Sequence, residues 1–293
     1  MRLGTLNRRL WAWKPFILAC SVLFAHANQS RGEAFDYLRQ AVAKLAVASE
    51  VAATGDYDYD GTGCMFGYFL DPSEESSMRR SFDAGSSYLI IGCADEDVKV
   101  LDLRVKDADG NTIASADSAS DTPVFAFHPP RDGRYSVAIT NSRAERASFC
   151  AFVVLKKVDD GKVQLQEIAE ALGRAIQAAQ VRALAAKEFP HGLVLMGGKY
   201  DKGTSNDTYD LRLAQGDYAL VVAGSKAVDD ADAFVVRQRT RNDPSGKSIA
   251  EDTDPAAVAI CNFTADGDSL YCMRMKNAHS DGPGFVFGVV LKD

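Results

Sequence analysis

Asp56, Asp58 and Asp60 alternate with tyrosines and stand directly before a glycine, in the run Asp56-Tyr-Asp-Tyr-Asp-Gly61. A calcium loop presents oxygens from its first, third and fifth positions and turns on a glycine at the sixth, so calcium is the one cofactor these residue types suggest. The twelfth position, where such a loop needs a bidentate glutamate, is Gly67, and Glu74 and Glu75 follow only later. Aromatic residues crowd the same stretch. Tyr57, Tyr59 and Tyr68, with Phe66 and Phe69 between and beside them, are candidate ligand-binding residues, because such rings stack on sugars and anchor partners. Packing beneath a helix would use the same residues. A second acidic group, Asp95, Glu96, Asp97 and Asp102, suits a turn or strand edge better than a cation site.

Nucleophiles and bases are sparse. Beyond the first 27 residues the histidines are His128, His191 and His279, and none belongs to a His-Glu-x-x-His pattern. There is no Gly-x-Ser-x-Gly elbow and no phosphate-cradling glycine loop, so no catalytic residue is assigned. The cysteines in this part of the chain are Cys64, Cys93, Cys150, Cys261 and Cys272, an odd number that leaves at least one thiol over. Cys64 is the candidate free thiol, and a hydrolase using it as nucleophile is the third functional reading. Cys93 ends one predicted strand and Cys150 starts another, so a Cys93–Cys150 disulfide is expected. Cys261 and Cys272 flank the Asp266-Gly267 turn, where a two-residue hairpin would set them opposite each other. Inward-facing Tyr271, Met273 and Met275 would instead turn Cys272 away, which leaves a Cys261–Cys272 bridge open.

These residues sit in an exported chain. Arg2, Arg8, Arg9 and Lys14 precede a short apolar stretch, and Ala25-His26-Ala27 offers a small-x-small cleavage site, so residues 1–27 are expected to be a signal peptide. A lipoprotein-like cut at Cys20 competes less well, since few apolar residues precede it. No later stretch is long and apolar enough to span a bilayer. The 293 residues carry a net charge of −7, and loss of the four leader cations takes this to −11. Such acidity keeps an exported protein soluble and makes nucleic acid a poor partner. The compartment is periplasmic or extracellular.

The chain also repeats itself. Phe127, Tyr135, Asn141 and Phe149 match Phe263, Tyr271, Asn277 and Phe285 at a constant offset of 136, and Tyr88 and Asp102 match Tyr218 and Asp232 at 130. An insertion near Arg237-Gln-Arg-Thr-Arg-Asn242 accounts for the difference. The expected domains are therefore 28–157 and 158–293. Each opens with an alanine-rich helix, the first with a stripe of Phe35, Leu38, Val42 and Leu45, the second with Leu165, Ile168, Leu172, Ile176 and Ala179. Such stripes cover a sheet or pair with each other, and pairing would make a spacer or homodimer contact. Period-two runs with turn residues between them follow each helix. This predicts a mainly β fold with helices, two tandem antiparallel β-sandwiches of jelly-roll type.

The strands of the first half carry Gly85-Ser-Ser-Tyr88, Asp102-Leu-Arg-Val105, Asp107-Ala-Asp-Gly-Asn111, Pro123-Val-Phe-Ala-Phe127 and Gly133-Arg-Tyr135. In these motifs the chain resembles the bacterial pre-peptidase C-terminal domain, over about residues 80–157 with a weaker echo at 211–292. The resemblance implies a secreted jelly-roll module, of a kind usually appended to peptidases and implicated in binding or secretion. Within residues 1–293 no catalytic domain is expected beside the two modules. The expectation is a non-catalytic binding protein for a protein or glycan at or outside the envelope, with a structural or assembly role through paired helices as the alternative.

Overall fold

The computed structural model describes residues 33–116, 119–159, 165–182, 190–241 and 243–292. The expected signal peptide, Cys20 and residues 28–32 lie outside them. The chain divides into two compact units. The first comprises the chain up to Asp58 together with Leu70–Leu165, and the second Tyr59–Phe69 together with Gln166–Asp293.

The first unit opens with helix α1 (Glu33–Ala53). Short β1 (Tyr57–Tyr59) and β2 (Met65–Leu70) follow. Then come β3 (Glu75–Phe82), β4 (Tyr88–Ala94), β5 (Val100–Lys106), β6 (Thr112–Ser115), β7 (Val124–Phe127), β8 (Gly133–Arg143) and β9 (Ser148–Lys157). Two antiparallel arrays result, in the orders β9-β4-β7 and β3-β8-β5-β6. In β5, Leu101, Leu103 and Val105 are fully buried while Asp102, Arg104 and Lys106 between them reach solvent, as expected for a sheet with one wet face. Strands β4 and β9 are instead buried almost throughout. Helix α1 explains this: it packs on both strands and sets Phe35, Leu38, Val42 and Leu45 against them, all at most 1% exposed. The stripe expected to offer a dimer contact is therefore covered by the unit's own sheet.

The second unit contains α2 (Leu165–Val181). Its strands are β10 (Gly192–Tyr200), β11 (Ser205–Arg212), β12 (Gly216–Gly224), β13 (Val228–Gln238), β14 (Gly246–Asp252), β15 (Val258–Ala265), β16 (Leu270–Ser280) and β17 (Gly284–Lys292). The sheets run β15-β12-β17-β10-β2 and β11-β16-β13-β14. Strand β2 belongs here because it is antiparallel to β10, with Phe66 opposite Met196 and Phe69 opposite Gly192. The unit is thus not contiguous in sequence, unlike the expected break at residue 157.

Strands β3 to β9 and β11 to β17 follow one order, strand for strand. The details recur as well. Asn141 and Asn277, both fully buried, donate from Nδ2 to the carbonyls of Leu70 and Tyr200 at 3.1 Å each. Their main chains are tied to the same turn, Asn141 to Ser73 and Glu74, Asn277 to Gly203 and Thr204. Ser73 and Gly203 hold the same left-handed backbone there, with φ of 69° and 78°. Buried Phe82, Tyr88, Phe127 and Tyr135 pack edge to face in the first unit, and Tyr218, Phe263 and Tyr271 fill the matching place in the second. Lys44 of α1 donates to the Ala94 carbonyl at the end of β4, and Arg174 of α2 to the Gly224 carbonyl at the end of β12.

Candidate functional site

Tyr57–Tyr59 is extended strand, so of the three aspartates only Asp58 lies in it. Among the described residues Asp56, Asp58 and Asp60 belong to no group of three side chains whose ligand atoms lie within 4.8 Å of one another. Asp56 has a φ of 66° and its carbonyl accepts from the Val158 amide at 2.8 Å. The glycine that suggested a calcium loop serves its own backbone, since Gly61 has a φ of 67° and an added Cβ there would meet nothing within 4 Å. Gly61 and Gly63 carry the chain across β10 at Gly198, where an added Cβ would lie 2.6 Å from the Gly63 nitrogen and 2.7 Å from the Gly61 oxygen. The crossing is fixed by the Cys64 amide donating to the Gly197 carbonyl and the Lys199 amide to that of Gly61.

The aromatic candidates are core residues in the main. Tyr59 is 7% exposed and meets Phe285 edge-on at 5.1 Å, and Phe66 and Tyr68 are also buried. Desolvation pushes the Tyr68 hydroxyl far above its ordinary pKa. Only Tyr57 and Phe69 keep partial exposure, the latter tilted against His191 at 5.7 Å. Large apolar side chains with nothing to hold them at the surface go inside, and these do.

All five described cysteines are buried, and no disulfide joins them. Cys93 lies opposite Ala151, and Ala94 opposite Cys150, so the two sulfurs are one residue out of register. One residue along a strand reverses the face, which sends the expected partners to opposite sides of the sheet. Cys261 and Cys272 lie in different sheets, Cys261 opposite Leu220 of β12 and Cys272 opposite Val236 of β13. The Asp266-Gly267 turn joins one sheet to the other and makes no hairpin. Desolvation raises the Cys93, Cys261 and Cys272 thiols to about 12 and Cys150 higher still. A thiol so placed is protonated near neutral pH and is a poor nucleophile or metal ligand.

The acidic group around Asp95 is structural. Asp95 is 1% exposed, and its carboxylate accepts the Phe149 amide at 2.7 Å and the Asp97 amide at 3.0 Å. In the second unit Ser225 Oγ accepts the Phe285 amide at 3.2 Å in the same place. Burial raises the Asp95 carboxyl pKa despite these donors.

What remains accessible is the outer face of each four-stranded sheet, and here the units part company. Across the first, Glu75, Thr140 and Asp102 share one rank, Ser77, Ala138 and Arg104 the next, and Arg79, Ser136 and Lys106 a third. Glu75 pairs with Arg104 at 3.7 Å and with Lys106, and Asp102 with Arg104 at 3.3 Å and Ser142 Oγ at 2.6 Å. In the second unit the corresponding ranks hold Ser205, Lys276 and Asp232, then Asp207, Arg274 and Phe234. Arg274 makes a two-pronged bridge to Asp207 at 2.5 and 2.9 Å, and Lys276 bonds Asp232 at 2.9 Å. No sequence period distinguishes a paired face from a binding face, so this feature was invisible before the registers were known.

No protein-family model matches the chain, and no curated protein matches it. Among solved structures it is similar to the periplasmic g-type lysozyme inhibitor PliG of Aeromonas hydrophila, at 11% identity over 33% of this chain and 89% of that one, with a TM-score of 0.27. The PBSX exported protein XepA is similar over 81% of this chain and 87% of its own, at 11% identity and a TM-score of 0.25. The pre-peptidase C-terminal domain of Bacillus anthracis collagenase is similar over 30% of this chain and 89% of that domain, at 11% identity and a TM-score of 0.22.

Proposed function

We propose that the chain is an exported, non-catalytic binding protein made of two tandem copies of one helix-plus-sandwich unit, whose ligand is a protein or glycan at or outside the cell envelope. The observation that carries this reading is the contrast between interior and outer face. Interior positions repeat between the units as Tyr88 and Tyr218, Phe127 and Phe263, or Phe149 and Phe285, while the outer ranks exchange Arg104 for Phe234 and Ser77 for Asp207. One scaffold presenting two different faces is what duplication for recognition produces. Burial of all five described cysteines, Cys64 among them, supports a role without nucleophilic chemistry.

The test is to titrate the chain from residue 28 onward against separated envelope proteins and glycans. Saturable binding is expected. Arg104→Glu combined with Lys106→Glu, or Phe234→Asp, should weaken it about tenfold or more while circular dichroism stays unchanged. Absence of a saturable ligand in every fraction, or hydrolytic turnover abolished by Cys64→Ser, overturns the reading.

A further inference from the structure

We propose that the second unit holds one ordered water molecule in its interior, hydrogen-bonded to the Tyr200 hydroxyl beside the Gly61-to-Gly63 crossing. Tyr200 ends β10 with no exposure, and its hydroxyl has no hydrogen-bond partner among the described residues. A buried hydroxyl left alone carries its full desolvation penalty, so nearly all such groups find a partner in protein or in ordered water. The first unit shows that the fold itself does not require a hydroxyl here. Leu70 occupies the matching place, since Asn141 donates to its carbonyl as Asn277 does to that of Tyr200. The neighbouring strand changes in the same sense. Met78 opposite Val137 is matched by Thr208 opposite Met273, and Ser76 opposite Ile139 by Asn206 opposite Met275. Leu70, Met78, Tyr200 and Thr208 are all buried, and Asn206 Nδ2 donates to Thr208 Oγ1 at 3.5 Å. One unit thus buries two apolar side chains where the other buries two hydroxyls.

The crossing closes this place from one side. Gly198 and Tyr200, two residues apart on β10, point to the same face. A Cβ on Gly198 would lie 2.6 Å from the Gly63 nitrogen, and one on Gly63 would lie 2.7 Å from Asn206 Nδ2. The crossing therefore runs between β10 and β11, and the fully buried Cys64 follows it. Desolvation, with Cys64 and Asp207 adding to it, raises the Tyr200 pKa well above the ordinary phenol value, so the hydroxyl keeps its proton. Its partner must accept that proton in a hydrogen bond. No group of three carboxylate, thiol or imidazole ligands forms here among the described residues, so a cation has nothing to hold it. An apolar molecule would leave the hydroxyl as it is. Water accepts from Tyr200 and donates onward to side-chain oxygens such as those of Asn206 and Thr208, within the roughly two to four bonds that a buried water makes. The inference is independent of what the sheet faces bind.

Oxygen-17 relaxation dispersion of the solvent tests it, because it counts water molecules held in the protein beyond its tumbling time. The chain from residue 28 should lose one such water in Tyr200→Phe and none in Tyr57→Phe, whose ring keeps partial exposure. Urea unfolding supplies the second reading. Tyr200→Phe should lower the folded-to-unfolded ratio about fivefold, because the hydroxyl takes its bond to water with it. An unpaired hydroxyl would give the opposite sign, since its removal relieves the desolvation penalty. An unchanged water count in Tyr200→Phe, or a Tyr200→Phe variant more stable than the native chain, would each overturn the proposal.

Discussion

Single residues show most sharply what holds each unit together. Asn141 closes its turn with three hydrogen bonds and Asn277 the matching turn with four, the extra one from Nδ2 to Ser280 Oγ, from buried positions where lost side-chain bonds could not be replaced by water. Asn141→Ala and Asn277→Ala should each cost about 1–3 kcal/mol in urea unfolding, and equal penalties would show that the two clamps are equivalent. Asp95 is the counter-example, a carboxylate where the other unit uses Ser225. Desolvation raises its folded-state pKa above the unfolded value of about 4, so the native state holds that proton more tightly. Stability from this group is therefore present at low pH, falls as pH rises through the unfolded value, and levels off above the raised folded one. Nearby Lys44 and Asp97 modulate the effect in opposite senses. Asp95→Ser should flatten that pH dependence and keep the bond to the Phe149 amide, whereas Asp95→Ala leaves the amide unpaired and should cost about 1–3 kcal/mol at pH 7.

At the level of elements, α1 is a lid on the sheet formed by β9, β4 and β7. Its stripe fills the outer side of strands whose near-continuous apolar runs require cover on both faces. Leu38→Ala, at a site with no exposure, should destabilise the chain by about 2–5 kcal/mol in chemical denaturation without any change in oligomeric state by light scattering. The Gly61-to-Gly63 crossing makes a different demand. Gly198→Ala puts a methyl against the backbone itself, which no rotamer change relieves, and should lower the midpoint of thermal unfolding more than Gly173→Ala, where an added Cβ meets nothing within 4 Å. Helix periodicity and strand alternation were legible in the sequence because each reports one element's own geometry. Cysteine pairing was not, because it depends on the register between strands. The aromatic stretch from Tyr57 to Phe69 misled for a related reason: composition alone does not say which neighbour covers a ring.

Over the whole molecule, the consequence most open to measurement concerns the thiols. The native chain from residue 28 should react slowly with a thiol reagent and, once unfolded without reductant, should take up five labels by intact mass, since the five sulfurs are buried and unbridged. Fewer labels would mean that a bridge forms after all. The sequence by itself determined the β-rich class and the two helices with their apolar stripes, and it suggested the matching positions Tyr88, Asn141 and Phe149 with Tyr218, Asn277 and Phe285. These follow from local periodicity and from comparing the chain with itself. Tertiary structure alone decided that β2 completes the second unit's sheet, that Cys93 and Cys150 face apart, that α1 packs on its own strands, and that the Gly61-to-Gly63 crossing runs between β10 and β11 beside Tyr200. The physical reason is common to all four. Each depends on which strand lies beside which and in what register, and hydrogen bonds between distant segments set that pairing without leaving a mark on the spacing of residues along the chain.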